Sequence, residues 1–236
     1  MKVYSVEVTE ISDAMSNKLS LFIESEKKSR IEKLVNKKDK IRVLIGEILI
    51  RTLIIKHLGI KNDEILFKRN RFGKPFLTGF SGFHFNISHS GEFVVCAIDE
   101  NPIGIDIEQV KNINYEHIAM NFFSKSENNY IFKSGLDNQL KRFYELWTLK
   151  ESYIKCCGQG LAIPLKSFSI EINNHKNIYI SSGNESMPKS NGFKMLNFEP
   201  GYKVALCSLN SEFSPKNIIT LNQLTLIEEF LKNTII

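Results

Sequence analysis

Residues 103–108 alternate isoleucine with glycine and acid: Ile103, Ile105 and Ile107 against Gly104, Asp106 and Glu108. Successive side chains of a strand point to opposite faces. The segment therefore reads as a strand with one isoleucine face and one face aiming two carboxylates the same way. Gly104 beside them leaves room for something large to approach. Two hard oxygen donors at this spacing suit Mg²⁺, which takes a few protein carboxylates, keeps waters and accepts phosphate oxygens. An ordinary solvent-facing strand is the plain alternative.

The same period-two pattern recurs upstream. Phe83, Phe85 and Ile87 alternate with His84, Asn86 and Ser88, the turn His89-Ser90-Gly91 follows, and residues 93–98 are strongly β-prone, which predicts a hairpin. Helical spacing of apolar residues predicts helices over 15–35, 37–57, 115–122, 125–132 and 138–157, and a last one over 221–231. Gly59 caps the second of these. Short strands are expected at 3–8, 65–67, 168–172, 193–198 and 202–208, with a lysine-bearing loop at 71–76. Each half thus combines helices with a hairpin, as a duplicated α/β unit would, with its boundary near residues 100–105. The length of 236 residues, with 42% hydrophobic and 24% charged side chains, suits two lobes that bury real cores and excludes disorder or a fibrous coil.

No apolar run approaches the ~20 residues of a membrane span, since Arg42, Gly46, Glu47 and Arg51 interrupt the best candidate. The first residues lack the features of an export signal. Cys96, Cys156, Cys157 and Cys207 show no CxxC spacing, so neither a zinc site nor a disulfide framework is indicated and a cytoplasmic location is expected. The net charge of +5 is uneven. Lys27, Lys28, Arg30, Lys33, Lys37, Lys38, Lys40 and Arg42 crowd together, and Lys68, Arg69, Arg71 and Lys74 follow, as on a surface that meets phosphates or an acidic partner. Interleaved Glu26, Glu32 and Asp39 also allow a plain solvated helix face.

Two further groups carry chemistry. In the helix around Trp147, Glu151 and Lys155 stand four apart on one face: an ordinary ion pair, or a third carboxylate for a metal and a cation for a phosphate. Lys150 falls nearer the apolar stripe and reads as structural, and Glu127 completes a capping box with Ser124. At the hairpin turn, His89 can donate to a phosphate, although a turn histidine is more often incidental.

Taken in order, Gly73-Lys74-Pro75, the Asn86-Ile87-Ser88-His89-Ser90 run, the 103–108 strand and Trp147-x-x-Lys150-Glu151-Ser152-x-x-Lys155 resemble the 4′-phosphopantetheinyl transferases of the surfactin-synthetase-activating type. The resemblance spans nearly the whole chain. It implies an α+β fold of two similar α/β lobes related by a pseudo-twofold axis, with coenzyme A in the cleft between them. The lobes would be residues 1–102 and 103–212, followed by an extension, 213–236, with a helix. It also implies Mg²⁺, or Mn²⁺, held by Asp106, Glu108 and Glu151. Coenzyme A contacts would come from Lys27, Arg30, Arg42, Lys74, Ser88, His89 and Lys155, with Glu151, Lys155 and His89 as the catalytic groups. The implied reaction moves 4′-phosphopantetheine from coenzyme A to a serine of an apo acyl or peptidyl carrier protein, as in nonribosomal peptide or antibiotic synthesis, and releases 3′,5′-adenosine bisphosphate. A monomer is expected, with no nucleic-acid or membrane partner. Two other classes compete: a Mg²⁺-dependent phosphodiester-cleaving enzyme, which needs exposed aromatics along its basic track, and an acidic-protein-binding module, which leaves the three acids unexplained.

Overall fold

In the computed structural model, residues 1–173, 177–182, 192–210 and 217–234 are described. The first lobe runs through β1 (Lys2–Glu7), α1 (Asp13–Leu19), α2 (Ser25–Glu32), α3 (Lys37–Leu58), β2 (Phe67–Arg69), β3 (Pro75–Leu77), β4 (His84–Ser90) and β5 (Phe93–Asp99). The single helix expected over 15–35 is two. A 3₁₀ turn, Ser20–Phe22, leads into extended Ile23 (φ −114°, ψ 161°). The break is pinned by tertiary bonds: Asn62 Nδ2 donates to the Phe22 carbonyl at 2.8 Å, and the Glu24 carboxylate accepts from the Phe67 N–H at 3.0 Å. α3 forms where its periodicity places it, begun by the Asn36 side chain accepting from the Lys38 N–H and ended by Gly59 at φ 68°. The strand expected at 65–67 starts at Phe67 instead and pairs with β3, so the expected loop ends as a short ribbon with Pro75 opposite Arg69.

The second lobe comprises β6 (Ile103–Gln109), α4 (Tyr115–Phe122), α5 (Lys125–Phe132), α6 (Leu136–Cys157), β7 (Phe168–Ile172), β8 (Ile178–Ser182), β9 (Gly192–Leu196) and β10 (Tyr202–Ser208). The chain then returns through β11 (Ile219–Leu221) and α7 (Gln223–Thr234). One sheet has the order β11-β1-β5-β4, parallel only between β11 and β1; the other, β6-β10-β9, is antiparallel. α3 packs on the first sheet through Leu44, Ile45 and Ile48 against Phe85 and Val94, and α6 on the second through Leu149 and Tyr153 against Ala205 and Cys207. Between the sheets, Val3, Val95 and Ala97 meet Ile103, Ile105, Ile107, Val204 and Leu206. The isoleucine face of β6 is thus the seam between the lobes.

The described part of the tail is no appendage. β11 extends the first sheet, and Leu226, Ile227 and Phe230 of α7 complete the first lobe's core, with Phe230 edge-on to Phe22 at 6.1 Å. The expected boundary at residue 213 lies outside the described residues. Phe230 is fully buried, so Phe230→Ala is expected to destabilise the chain by about 3–5 kcal/mol, read from a denaturant midpoint. A loss under about 1 kcal/mol would show that α7 is dispensable to the core.

Candidate active site

β6 has no solvent-facing side, contrary to the plain reading of its sequence. Its odd residues fill the seam and its even residues face α6. A Cβ on Gly104 would lie 2.0 Å from the Ser152 carbonyl oxygen and 2.4 Å from the Cys156 nitrogen. What the glycine admits is therefore helix backbone rather than a ligand. From that contact α6 runs back along the strand, so that Lys155 reaches Asp106 and the Trp147 indole reaches Glu108.

Asp106 is only 3% exposed. Its Oδ1 accepts from Lys155 Nζ at 2.6 Å and from Ser88 Oγ at 2.9 Å, and Lys155 Nζ also donates to Ser88 Oγ at 2.9 Å. Its buried Oδ2 has no hydrogen-bond partner among the described residues. Burial raises the Asp106 carboxyl above the ordinary range, against the pull of Lys155 and Ser88. Glu108 is pushed up to about 7, first by burial and then by the Asp106 charge, while Ser90, donating at 3.0 Å, Lys155 and Trp147 oppose the shift. Burial, then Asp106, also raises Glu151, with Lys155 opposing. Among the described residues no three acids, histidines or cysteines converge tightly enough to cage a metal as they stand. The donor set nevertheless fits a hard cation: three oxygen acids whose ionisation burial disfavours, one with an orphaned oxygen.

The sign of the Glu108 shift gives a test. A carboxyl with a native pKa above its unfolded one holds an extra proton when folded, so stability falls as pH rises from about 4.5 through about 7. Glu108→Gln in metal-free buffer is expected to flatten that decline in thermal melts. Parallel curves for parent and variant would show that Glu108 does not titrate there.

The basic residues divide. His89 opens to solvent, and its ring is held below the usual imidazole range by desolvation and by Arg42 and Lys155. Arg42 holds the hairpin turn, donating to the Gly91 carbonyl and the Asp39 carboxylate. Lys27 lies 3.5 Å from Glu47 and Arg30 4.0 Å from Glu26. Lys74 Nζ donates to the carbonyls of Ile103 and Cys156 at 3.0 and 3.2 Å, so here it ties the first lobe to the start of β6 and the end of α6. Ser88, His89, Asp106, Glu108, Glu151 and Lys155 thus gather where β4, β6 and α6 meet, while the remaining cations sit on α2, α3 and the turn before β3.

Beneath the site, Lys150 and Glu127 are fully buried. Lys150 Nζ donates to Glu127 Oε1 at 2.6 Å and to the Phe168 carbonyl at 2.7 Å, and Glu127 accepts from the Ile170 and Ser124 N–H groups as well. The carboxylate therefore fastens α5, α6 and β7 besides completing its capping box. Glu127→Ala strands a buried ammonium and is expected to cost about 3–5 kcal/mol; an unchanged melting temperature would show that Lys150 escapes to solvent.

Sequence reasoning passed over Asn86 and Ser90 as site-building residues. With Ser88 between them the acceptors fall two residues apart, which matches the N–H spacing of a strand and is the one signal that could have found them.

Residues 102–207 match the family model described as the 4′-phosphopantetheinyl transferase superfamily, and residues 11–101 that of the 4′-phosphopantetheinyl transferase N-terminal region. The chain is 41% identical over 229 residues to the 4′-phosphopantetheinyl transferase gsp of Aneurinibacillus migulanus, covering 95% of this chain and 92% of that protein. The chain belongs to the 4′-phosphopantetheinyl transferases. With 4′-phosphopantetheinyl transferase Sfp of Bacillus subtilis the identity is 37% over 219 residues, 92% of this chain and 96% of that one, which puts it in the surfactin-activating type. A holo-(acyl-carrier-protein) synthase from Bacillus anthracis, solved with coenzyme A, aligns over 45% of this chain and 92% of its own at 15% identity and a TM-score of 0.37. The two phosphopantetheinyl transferase matches meet in the turn between β5 and β6, and α7 lies outside both.

Proposed function

We propose that this chain transfers the 4′-phosphopantetheine moiety of coenzyme A to a serine hydroxyl of an apo-carrier protein at the junction of β4, β6 and α6, releasing 3′,5′-adenosine bisphosphate. The observation that carries the reading is the Ser88–Asp106–Lys155 junction, flanked by Glu108 and Glu151, where β4, β6 and α6 meet in a chain from this family. The serine oxygen bonds to the β-phosphorus of coenzyme A, the bridging bond on the nucleotide side breaks, and its electron pair leaves with the bisphosphate. The serine proton goes to Glu151. Its raised pKa suits that task, because a base works best with a pKa near the working pH. Lys155 and His89 sit where cationic or N–H groups can meet charge growing on phosphate oxygens.

Asp106, Glu108 and Glu151 would hold Mg²⁺, or Mn²⁺, with Asp106 offering its free Oδ2. That ion would supply Lewis-acid stabilisation of the pyrophosphate. Lys27, Arg30 and Arg42 are proposed as partners of the coenzyme's remaining phosphates. Lys74 joins them only by giving up its two carbonyl contacts. The chain is proposed to act as a cytoplasmic monomer on peptide-synthetase, polyketide-synthase or fatty-acid carrier domains, since two lobes of one chain would build the cleft that the reading requires; no described helix is long and apolar enough to cross a membrane. The deciding assay incubates the protein with coenzyme A, Mg²⁺ and apo-carrier protein. A carrier mass gain of one phosphopantetheine with equimolar adenosine bisphosphate is expected. Its absence with both acyl and peptidyl carriers would reject the reading.

A further inference from the structure

One edge of β6 is satisfied by side chains. Along its other edge it pairs with β10. On the edge facing the first lobe, the N–H groups of Ile105, Ile107 and Gln109 donate to Asn86 Oδ1, Ser88 Oγ and Ser90 Oγ at 2.8, 3.4 and 3.0 Å. Acceptors two apart on β4 meet donors two apart on β6, so Asn-x-Ser-x-Ser acts as a strand edge made of side chains and permits one register. Each hydroxyl still has a proton to give. Ser88 gives its proton to Asp106, and Ser90 gives its own to Glu108 at 3.0 Å. Each carboxylate has a second donor on α6, Lys155 for Asp106 and the Trp147 indole for Glu108.

We infer that Asn86 and Ser90 are positioning residues: together they lock β6 in register against β4, and Ser90 aims the Glu108 carboxylate toward the divalent cation. The inference rests on the proposed function only in taking Glu108 as a metal ligand. A hydroxyl has one proton and two lone pairs. Ser90 can therefore be pinned by the Gln109 N–H while fixing Glu108. Threonine keeps both abilities and alanine neither. Partners that orient a metal-binding carboxylate typically cost about 10–100-fold in metal affinity when removed.

The test measures Mn²⁺ affinity of the metal-free full chain by electron paramagnetic resonance of the free ion, beside melting temperature, kcat and KM for the carrier. Ser90→Ala is expected to weaken Mn²⁺ binding about 10–100-fold and to lower kcat while leaving the carrier KM in place, and Ser90→Thr to restore both. In a Glu108→Gln background, Ser90→Ala should weaken Mn²⁺ no further. A lower melting temperature with unchanged Mn²⁺ affinity, or fully additive losses in the double variant, would overturn the inference. Should Ser90→Ala not fold, Ser90→Cys, which keeps the size but donates weakly, must show the same loss of affinity or the inference falls. If the parent protein binds Mn²⁺ but transfers nothing, the proposed function fails while the affinity series still decides the role of Ser90.

Discussion

Glu151→Gln is expected to lower turnover by roughly 10²–10⁴-fold, the range for loss of a general base, with coenzyme A binding close to that of the parent. Glutamine keeps the size and one ligand oxygen but cannot take a proton. Glu151 sits half-buried on the α6 face that also presents Lys155 to Asp106, and burial and the Asp106 charge both make it a stronger base than an exposed glutamate. The competing account has Glu151 merely ordering the metal. Turnover at saturating Mg²⁺, compared with Mn²⁺ affinity, separates them: if activity falls only as far as metal affinity falls, Glu151 is a ligand and not the base. Asp106→Asn is a harsher change than its sequence suggests, because the Lys155 ammonium then loses its carboxylate partner between β6 and α6.

Gly104→Ala is expected to cost about 3 kcal/mol or more, at or beyond the upper end for overpacking. The added methyl meets the Ser152 carbonyl oxygen at 2.0 Å and the Cys156 nitrogen at 2.4 Å. These are backbone atoms of one helix, so no rotamer change relieves the clash; α6 itself must move, and it carries Trp147, Glu151 and Lys155. Activity should therefore fall together with stability. Gly82→Ala is the control, since a Cβ there meets nothing within 4 Å, and it should stay within about 0.5 kcal/mol of the parent. Near-parental stability of Gly104→Ala would mean that β6 and α6 are not packed backbone to backbone.

The sequence by itself determined the local structure. Alternation marked β4 and β6, β-propensity marked β5, helical spacing marked α3 and α6, and capping chemistry marked Gly59 and the Ser124–Glu127 box, because each of these depends on neighbours a few residues away. It also brought forward Asp106, Glu108, Glu151 and Lys155, whose spacing shows which side chains share a face. The tertiary structure decided what covers each face. Isoleucines and carboxylates of β6 alternate alike whether one side meets water or helix backbone, so the burial of Asp106 and the contact at Gly104 could not be read. The break between α1 and α2 depends on Asn62 and Phe67. The return of β11 and α7 to the first lobe depends on an unpaired edge of β1 more than two hundred residues away in the chain. Lys74, a loop lysine in the sequence, is spoken for by two carbonyls of the other lobe. Long-range packing sets these partners, and periodicity carries no information about which distant surface will supply them.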